Sequence, residues 1–136
     1  MPNNIYLLFV LILISIRKDS FMIKNKANKP QISIIMSVYN ETYKSIYLAV
    51  NSILKQTFQN FELILVNDNP QSVNTQKAIE VISKKDERIK VIRNDCNRGL
   101  GYALNVAIQK SCSNIIARMD TEDKSMPDRL AKQYSY

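Results

Sequence analysis

From about residue 31 onward, apolar runs alternate with amphipathic stretches. Residues 31–38 (QISIIMSV) form a β-branched run ending in Tyr39-Asn40-Glu41, and Ile46, Ala49, Val50, Ile53 and Leu54 then recur at the spacing of one helical face. One strand and one helix are expected there. Residues 61–66 (FELILV) predict a second, buried strand, stopped at Asn67-Asp68-Asn69-Pro70, where Asn, Asp and Pro favour a turn. A weaker helix follows, with Ala78, Ile79 and Ile82 inward and Lys84 and Lys85 near its end, where cations suit the helix dipole. Residues 89–93 predict a third strand. Leu100, Ala103, Leu104, Ala107 and Ile108 mark a third helix face, residues 115–119 a fourth strand, and Pro127 the opening of a further helix.

Nearly all-apolar strands alternating with helices imply an α/β fold, a parallel sheet with helices on both faces. In such sheets ligands bind beyond the carboxyl ends of the strands. Those ends carry residues 37–41, 67–69, 94–99 and 120–123, so the polar residues are expected to converge on one edge. The last group is the most informative, because N-I-I-A-R-M-D-T-E-D at 114–123 empties a β-like run into Asp120, Glu122 and Asp123. Carboxylates this close repel unless a cation sits between them, which points to a divalent metal. The competing reading is a solvated acidic loop, and the convergence on one edge weighs against it.

Four runs, S-I-I-M-S-V-Y-N-E, S-I-L-K-Q-T-F-Q-N-F-E-L-I-L-V-N-D-N, N-R-G-L-G-Y-A-L-N-V-A-I and I-A-R-M-D-T-E-D-K-S-M-P-D-R-L-A-K-Q, occur in this order over about residues 29–133. In these runs the chain resembles the family 2 glycosyltransferases, most of all the branch that builds bacterial capsules, exopolysaccharides and related surface glycans. The resemblance implies a Rossmann-like GT-A fold, a nucleotide-diphospho-sugar donor, a glycan or lipid-linked acceptor, and a D-x-D motif that holds Mg²⁺ or Mn²⁺ against the diphosphate. Carried over by position, Ser37 and Tyr39 would line the nucleotide pocket and Asp68 would accept a hydrogen bond from the base, usually uracil. Arg98, in the loop Asn97-Arg98-Gly99, would border the donor near phosphate. Asp120, Thr121 and Glu122 occupy the D-x-D, followed by Asp123, so Asp120 is expected at the donor and Asp120, Glu122 and Asp123 at the metal.

Two positions depart from the family pattern. Glu122 stands where a second Asp is usual, and Asn67-Asp68 where Asp-Asp is common. Glu keeps the charge but moves it one methylene outward, a displacement Mg²⁺ tolerates poorly. The family's catalytic base lies well downstream of the D-x-D, hence beyond Tyr136. At 136 residues the chain can bury one core yet is much shorter than the family's catalytic domain. It is therefore expected to be the N-terminal, donor-binding part of a truncated domain (residues 31–136), incomplete on its own. The alternatives are a noncatalytic nucleotide-sugar-binding remnant and a subunit of a split enzyme. Another Mg²⁺-dependent α/β enzyme, of receiver or phosphatase type, would need an acidic pair after the first strand. Here that strand ends in Ser37-Val38-Tyr39-Asn40.

Residues 1–30 read as a separate segment. An apolar run at 5–16, broken only by Ser15, is followed by Arg17, Lys18, Lys24, Lys26 and Lys29. The run is shorter than the roughly 20 residues of a spanning helix, leaving a marginal span, an interfacial anchor, a signal-like segment or a non-native leader. Basic residues after it argue that the rest of the chain stays cytoplasmic, at the inner face of the plasma membrane. The net charge of +7 suits a membrane surface or an anionic donor. No aromatic-interleaved basic patch points to nucleic acid. The absence of His excludes His-based catalysis and His–metal sites. Cys96 and Cys112 make no C-x-x-C pair and are expected as reduced thiols. Gly99-Leu100-Gly101 lacks the third Gly of a dinucleotide fingerprint.

Overall fold

The structure is a computed structural model and describes residues 29–136, so the expectations for the apolar run at 5–16 fall outside it. Eight elements follow in order: β1 (Ile32–Val38), α1 (Tyr43–Leu54), β2 (Phe61–Asn67), α2 (Val73–Ser83), β3 (Ile89–Arg93), α3 (Leu100–Lys110), β4 (Ile116–Arg118) and α4 (Arg129–Tyr134). The first two helices start where a hydroxyl can accept from the open first turn. Thr42 Oγ1 accepts from the Ser45 amide and Ser72 Oγ from the Thr75 amide, both at 3.2 Å. The third starts at Gly99, whose φ of 87° favours glycine and which has no side chain to cap with. Pro127 lies two residues ahead of α4 rather than inside it, and its carbonyl accepts from the Thr57 amide instead.

All strand pairs are parallel and the order is β3-β2-β1-β4. Alternation along the strands sends side chains to two helix layers. Ile32, Ile34, Met36 and Val38 of β1, with Phe61, Leu63 and Leu65 of β2, bury against Ile46, Ala49, Val50 and Ile53 of α1 and Ala78, Ile79 and Ile82 of α2. The opposite face, Ile35, Ile64 and Val66, packs under Ala103 and Ala107 of α3. Helices therefore cover both faces, as expected. The outer strands depart from the sequence reading: β3 and β4 are largely exposed because each is an edge of this four-stranded sheet. Leu100 and Ile108, expected on the inner face of α3, are 50 % and 47 % exposed. A helix crossing two strands buries only its nearest residues, and here the small side chains Ala103 and Ala107 make that close approach. No helix among the described residues is long and apolar enough to cross a membrane.

Candidate functional site

With every strand parallel, the loops that follow β1, β2, β3 and β4 share one edge of the sheet. The chain runs from β1 outward to β2 and β3, then returns to place β4 on the other side of β1. The strand order thus reverses between β1 and β4, the position where open α/β sheets hold ligands. A cleft of about 390 Å³ lies there, lined by Tyr39, Asn40, Glu41, Thr42, Ser45 and Glu122. Its first wall is the β1–α1 turn, folded by Glu41, whose carboxylate accepts from the Tyr39 amide at 2.7 Å. The Tyr39 carbonyl in turn accepts from Thr75 Oγ1 at 3.3 Å, fastening the turn to α2. Its second wall is the acidic loop, tied to α1 by the Ser45 hydroxyl, which donates to the Thr121 carbonyl at 2.8 Å. Ser45 and Glu41 are site-building residues that sequence patterning passed over. Their signal is only that each sits one turn from a strand end. Ser37 is half-buried next to the last residue of β1, and Tyr39 is 47 % exposed on the rim.

Asp68 directly follows β2, with a side chain engaged inside the protein. Only 2 % exposed, it accepts from Asn94 Nδ2 at 2.7 Å and the Arg98 amide at 3.1 Å on Oδ1, and from the Gly99 amide at 2.9 Å on Oδ2. It thereby supplies the N-terminal cap that glycine cannot give α3. A carboxylate has about four acceptor sites. Three are used here, so the expected base contact would fall on the remaining Oδ2 lone pair. The guanidinium of Arg98 turns to Asp95, at 3.2 and 3.1 Å, and lies 5.0 Å from the centre of the Tyr102 ring. The bonds and charge of Asp95 raise the Arg98 pKa, and Arg98 in return holds the Asp95 carboxyl below its ordinary value.

The three carboxylates of the acidic loop do not act alike. Arg118 grips Asp120 with two bonds, at 3.0 and 3.1 Å. Glu122 and Asp123 are exposed, and neither side chain bonds or pairs with another described residue. No group of three or more His, Cys, Asp or Glu side chains among the described residues is placed to hold a metal. Mg²⁺ keeps several waters and is commonly held by one or two carboxylates plus substrate phosphates. Two unengaged carboxylates beside a cleft suit that donor set, with phosphate completing it. Adjacent strands lie about 4.8 Å apart, so the ends of β2 and β4, two spacings from each other in the sheet order, stand roughly 10 Å apart.

The glycosyl transferase family 2 model matches residues 33–136 of this chain. The chain belongs to that family. Among glycosyltransferase relatives, it is 37% identical over 109 residues to an uncharacterized glycosyltransferase of Methanocaldococcus jannaschii, covering 80% of this chain and 38% of the relative. It is 38% identical over 105 residues to the O-antigen biosynthesis glycosyltransferase WbnJ of Escherichia coli, covering 77% and 41%. The chain thus spans about two-fifths of the length of these relatives. Among solved structures, the mannosyltransferase PcManGT from Pyrobaculum calidifontis, in complex with GDP-Man and Mn²⁺, superposes with a TM-score of 0.71 at 20% identity, over 79% of this chain and 32% of that one. S. aureus TarS in complex with UDP gives 0.67 at 25% identity, over 77% and 31%. The architecture is of the GT-A glycosyltransferase type, as the family resemblance implied.

Proposed function

We propose that this chain carries the donor half of a glycosyltransferase, binding a uridine diphosphate sugar with Mn²⁺ or Mg²⁺ for transfer to a glycan or lipid-linked surface-polysaccharide acceptor. The observation that carries the reading is the cleft at the strand-order reversal, where the β1–α1 turn faces Glu122, a carboxylate that, like its sequence neighbour Asp123, bonds to no described side chain. The span from Asp68 to the acidic loop suits an extended donor, base toward β2 and diphosphate toward β4. The solved GDP-Man, Mn²⁺ and UDP complexes of structural neighbours support the ligand class.

In this arrangement Ser37 and Tyr39 line the nucleoside side, and the Asp68-anchored loop closes its far end. Asp120, held by Arg118, presents a fixed carboxylate edge to the donor, while Glu122 and Asp123 would hold the metal, which when bound would supply Lewis-acid neutralisation of charge on the diphosphate. Arg98, in the Asp68-anchored loop, would reach the donor only by leaving its pair with Asp95. The acceptor hydroxyl needs a positioned base, which the family resemblance places downstream of Tyr136. A second reading, a donor-binding subunit or remnant that needs a partner for turnover, is favoured by the two-fifths coverage of the relatives. Titration calorimetry with UDP and Mn²⁺ tests the site: binding is expected, with Asp120→Ala and Asp68→Ala each weakening it. Equal affinity in chelator would remove the metal from the proposal.

A further inference from the structure

The two poles of the sheet differ in charge. Parallel strands put every strand start, and the end of each helix that precedes one, at the pole away from the cleft. There the chain places exposed Lys55, Lys84, Lys85, Lys90 and Lys110, with half-buried Arg88 among them. Of the carboxylates at this pole, Glu62 is buried under Lys90, Asp86 is locked to Arg88 and Asp128, beside Thr57, is paired with Lys132, leaving Glu87 as an exposed acid without an ion pair to a described residue. Lys55, Lys84 and Lys110 make no ion pair with any described residue. The opposite pole carries Glu41, Asp68, Asp95, Asp120, Glu122 and Asp123, nearly balanced by Lys44, Arg93, Arg98, Arg118 and Lys124, with Arg98 and Arg118 tied to two of the acids.

Helix-dipole preference accounts for only part of this. Cations gain at the C-terminal end of a helix, which suits Lys55 and Lys84, the C-cap residues of α1 and α2, and Lys110 in the last turn of α3. Arg88 and Lys90 belong to the start of β3, outside any helix. The chain also enters the fold at this pole, through exposed Lys29 into β1, and the sequence just before it carries Arg17, Lys18, Lys24 and Lys26 after the apolar run at 5–16. The basic surface is therefore continuous along the chain with a segment suited to an interface. We infer that this pole docks onto an anionic lipid surface, with the preceding segment, so that the cleft and its carboxylates face away from the bilayer. A polybasic face is drawn to anionic headgroups more strongly than a nearly balanced one, which sets the orientation. The inference goes beyond the donor-site reading and stands whether or not the chain transfers sugar.

Vesicle co-sedimentation of the full chain tests it, comparing phosphatidylcholine vesicles with vesicles in which a third of the lipid is phosphatidylglycerol. Tighter binding to the anionic vesicles, weakening as salt shortens the screening length, is expected. Lys55→Glu, Lys84→Glu and Lys110→Glu together should reduce partition on the order of 100-fold, at about fivefold per lysine removed from the surface. Lys44→Glu, Lys77→Glu and Lys124→Glu together change the net charge equally away from this pole and should cost far less. Equal loss in the two triple variants reduces the effect to net charge and overturns the inference. So does equal binding to both vesicle types, or no loss in either variant, which would assign binding to the apolar run alone. Displacement from the vesicles by a uridine oligonucleotide that the first variant fails to bind would make nucleic acid the partner and overturn it as well.

Discussion

Asp68 is the residue whose role changes most once its surroundings are known. Its position predicts a base ligand, yet its carboxylate already holds Asn94, Arg98 and Gly99 and thereby the start of α3. Asn94→Ala separates the two roles, since it removes one bond to Asp68 while leaving the carboxylate in place. We expect Asn94→Ala to cost about 1 kcal/mol of stability, to speed amide hydrogen exchange over residues 97–101, and to lower UDP affinity in the direction of Asp68→Ala. Unchanged affinity with faster exchange would leave direct base contact as the whole of Asp68's contribution. Glu122 supports a second test at this scale. Because Mg²⁺ demands tighter geometry than Mn²⁺, Glu122 should bias UDP binding toward Mn²⁺, and Glu122→Asp should restore support by Mg²⁺. A metal preference identical in both proteins, measured by calorimetry, would exclude Glu122 as a ligand.

Among the elements, β2 holds a charge that its apolar pattern conceals. Glu62 is 3 % exposed and accepts from Ser33 Oγ at 2.5 Å on β1, Lys90 Nζ at 2.5 Å on β3 and the Cys112 amide at 2.6 Å on the loop entering β4. Burial alone pushes its pKa up, but the bonds from Lys90, Ser33 and the Cys112 amide together hold it below the ordinary 4.5. A depressed carboxylate contributes stability that is full above the unfolded-state pKa and lost as pH falls through the folded one. Glu62→Ala strands three donors, and we expect it to cost about 1–3 kcal/mol at pH 7. Urea denaturation should show the gap to the unaltered protein closing as pH drops below about 4.5. An equal gap at acid and neutral pH would mean that packing, not the charge, is what Glu62 provides. Such cross-strand ties explain what patterning along the chain could and could not reveal. β1 and β2 were legible because a strand buried on both faces needs no partner information to read as apolar. Exposure of Leu100 and Ile108 was not, since helical periodicity gives a face but not how many strands lie beneath it. The edge of the sheet that carries the site followed from strand ends alone. That Asp68 faces inward depends on Asn94, Arg98 and Gly99, which are distant along the chain, and leaves no local signature, whereas the Arg118–Asp120 pair lies two positions apart within one run.

At the scale of the whole molecule, the sheet's two edges are guarded unequally. β3 presents Lys90 and Arg93, and a lysine on an edge discourages pairing with another chain. β4 presents Ile116 and Ala117 before Arg118, preceded by Ile115, which is 48 % exposed. Beside it runs a cleft of about 570 Å³ lined in part by Ile32, Ile116, Leu130 and Tyr134. Backbone donors and acceptors beside an apolar cleft favour association of copies through this edge. Sedimentation velocity over a concentration series should therefore show self-association of the chain. Ile116→Lys places a charge on the open edge, and because Ile116 is already 36 % exposed it removes little buried area, so the fold should persist. That variant should shift the series toward monomer while UDP binding stays as before. Val91→Lys, on the guarded edge at a residue 44 % exposed, serves as the matched control and should leave association unchanged. If Val91→Lys disperses the chain as well as Ile116→Lys does, added charge rather than the β4 edge governs solubility. If neither does, the contact lies elsewhere, and the exposed Leu100 and Ile108 of α3 become the surface to alter next.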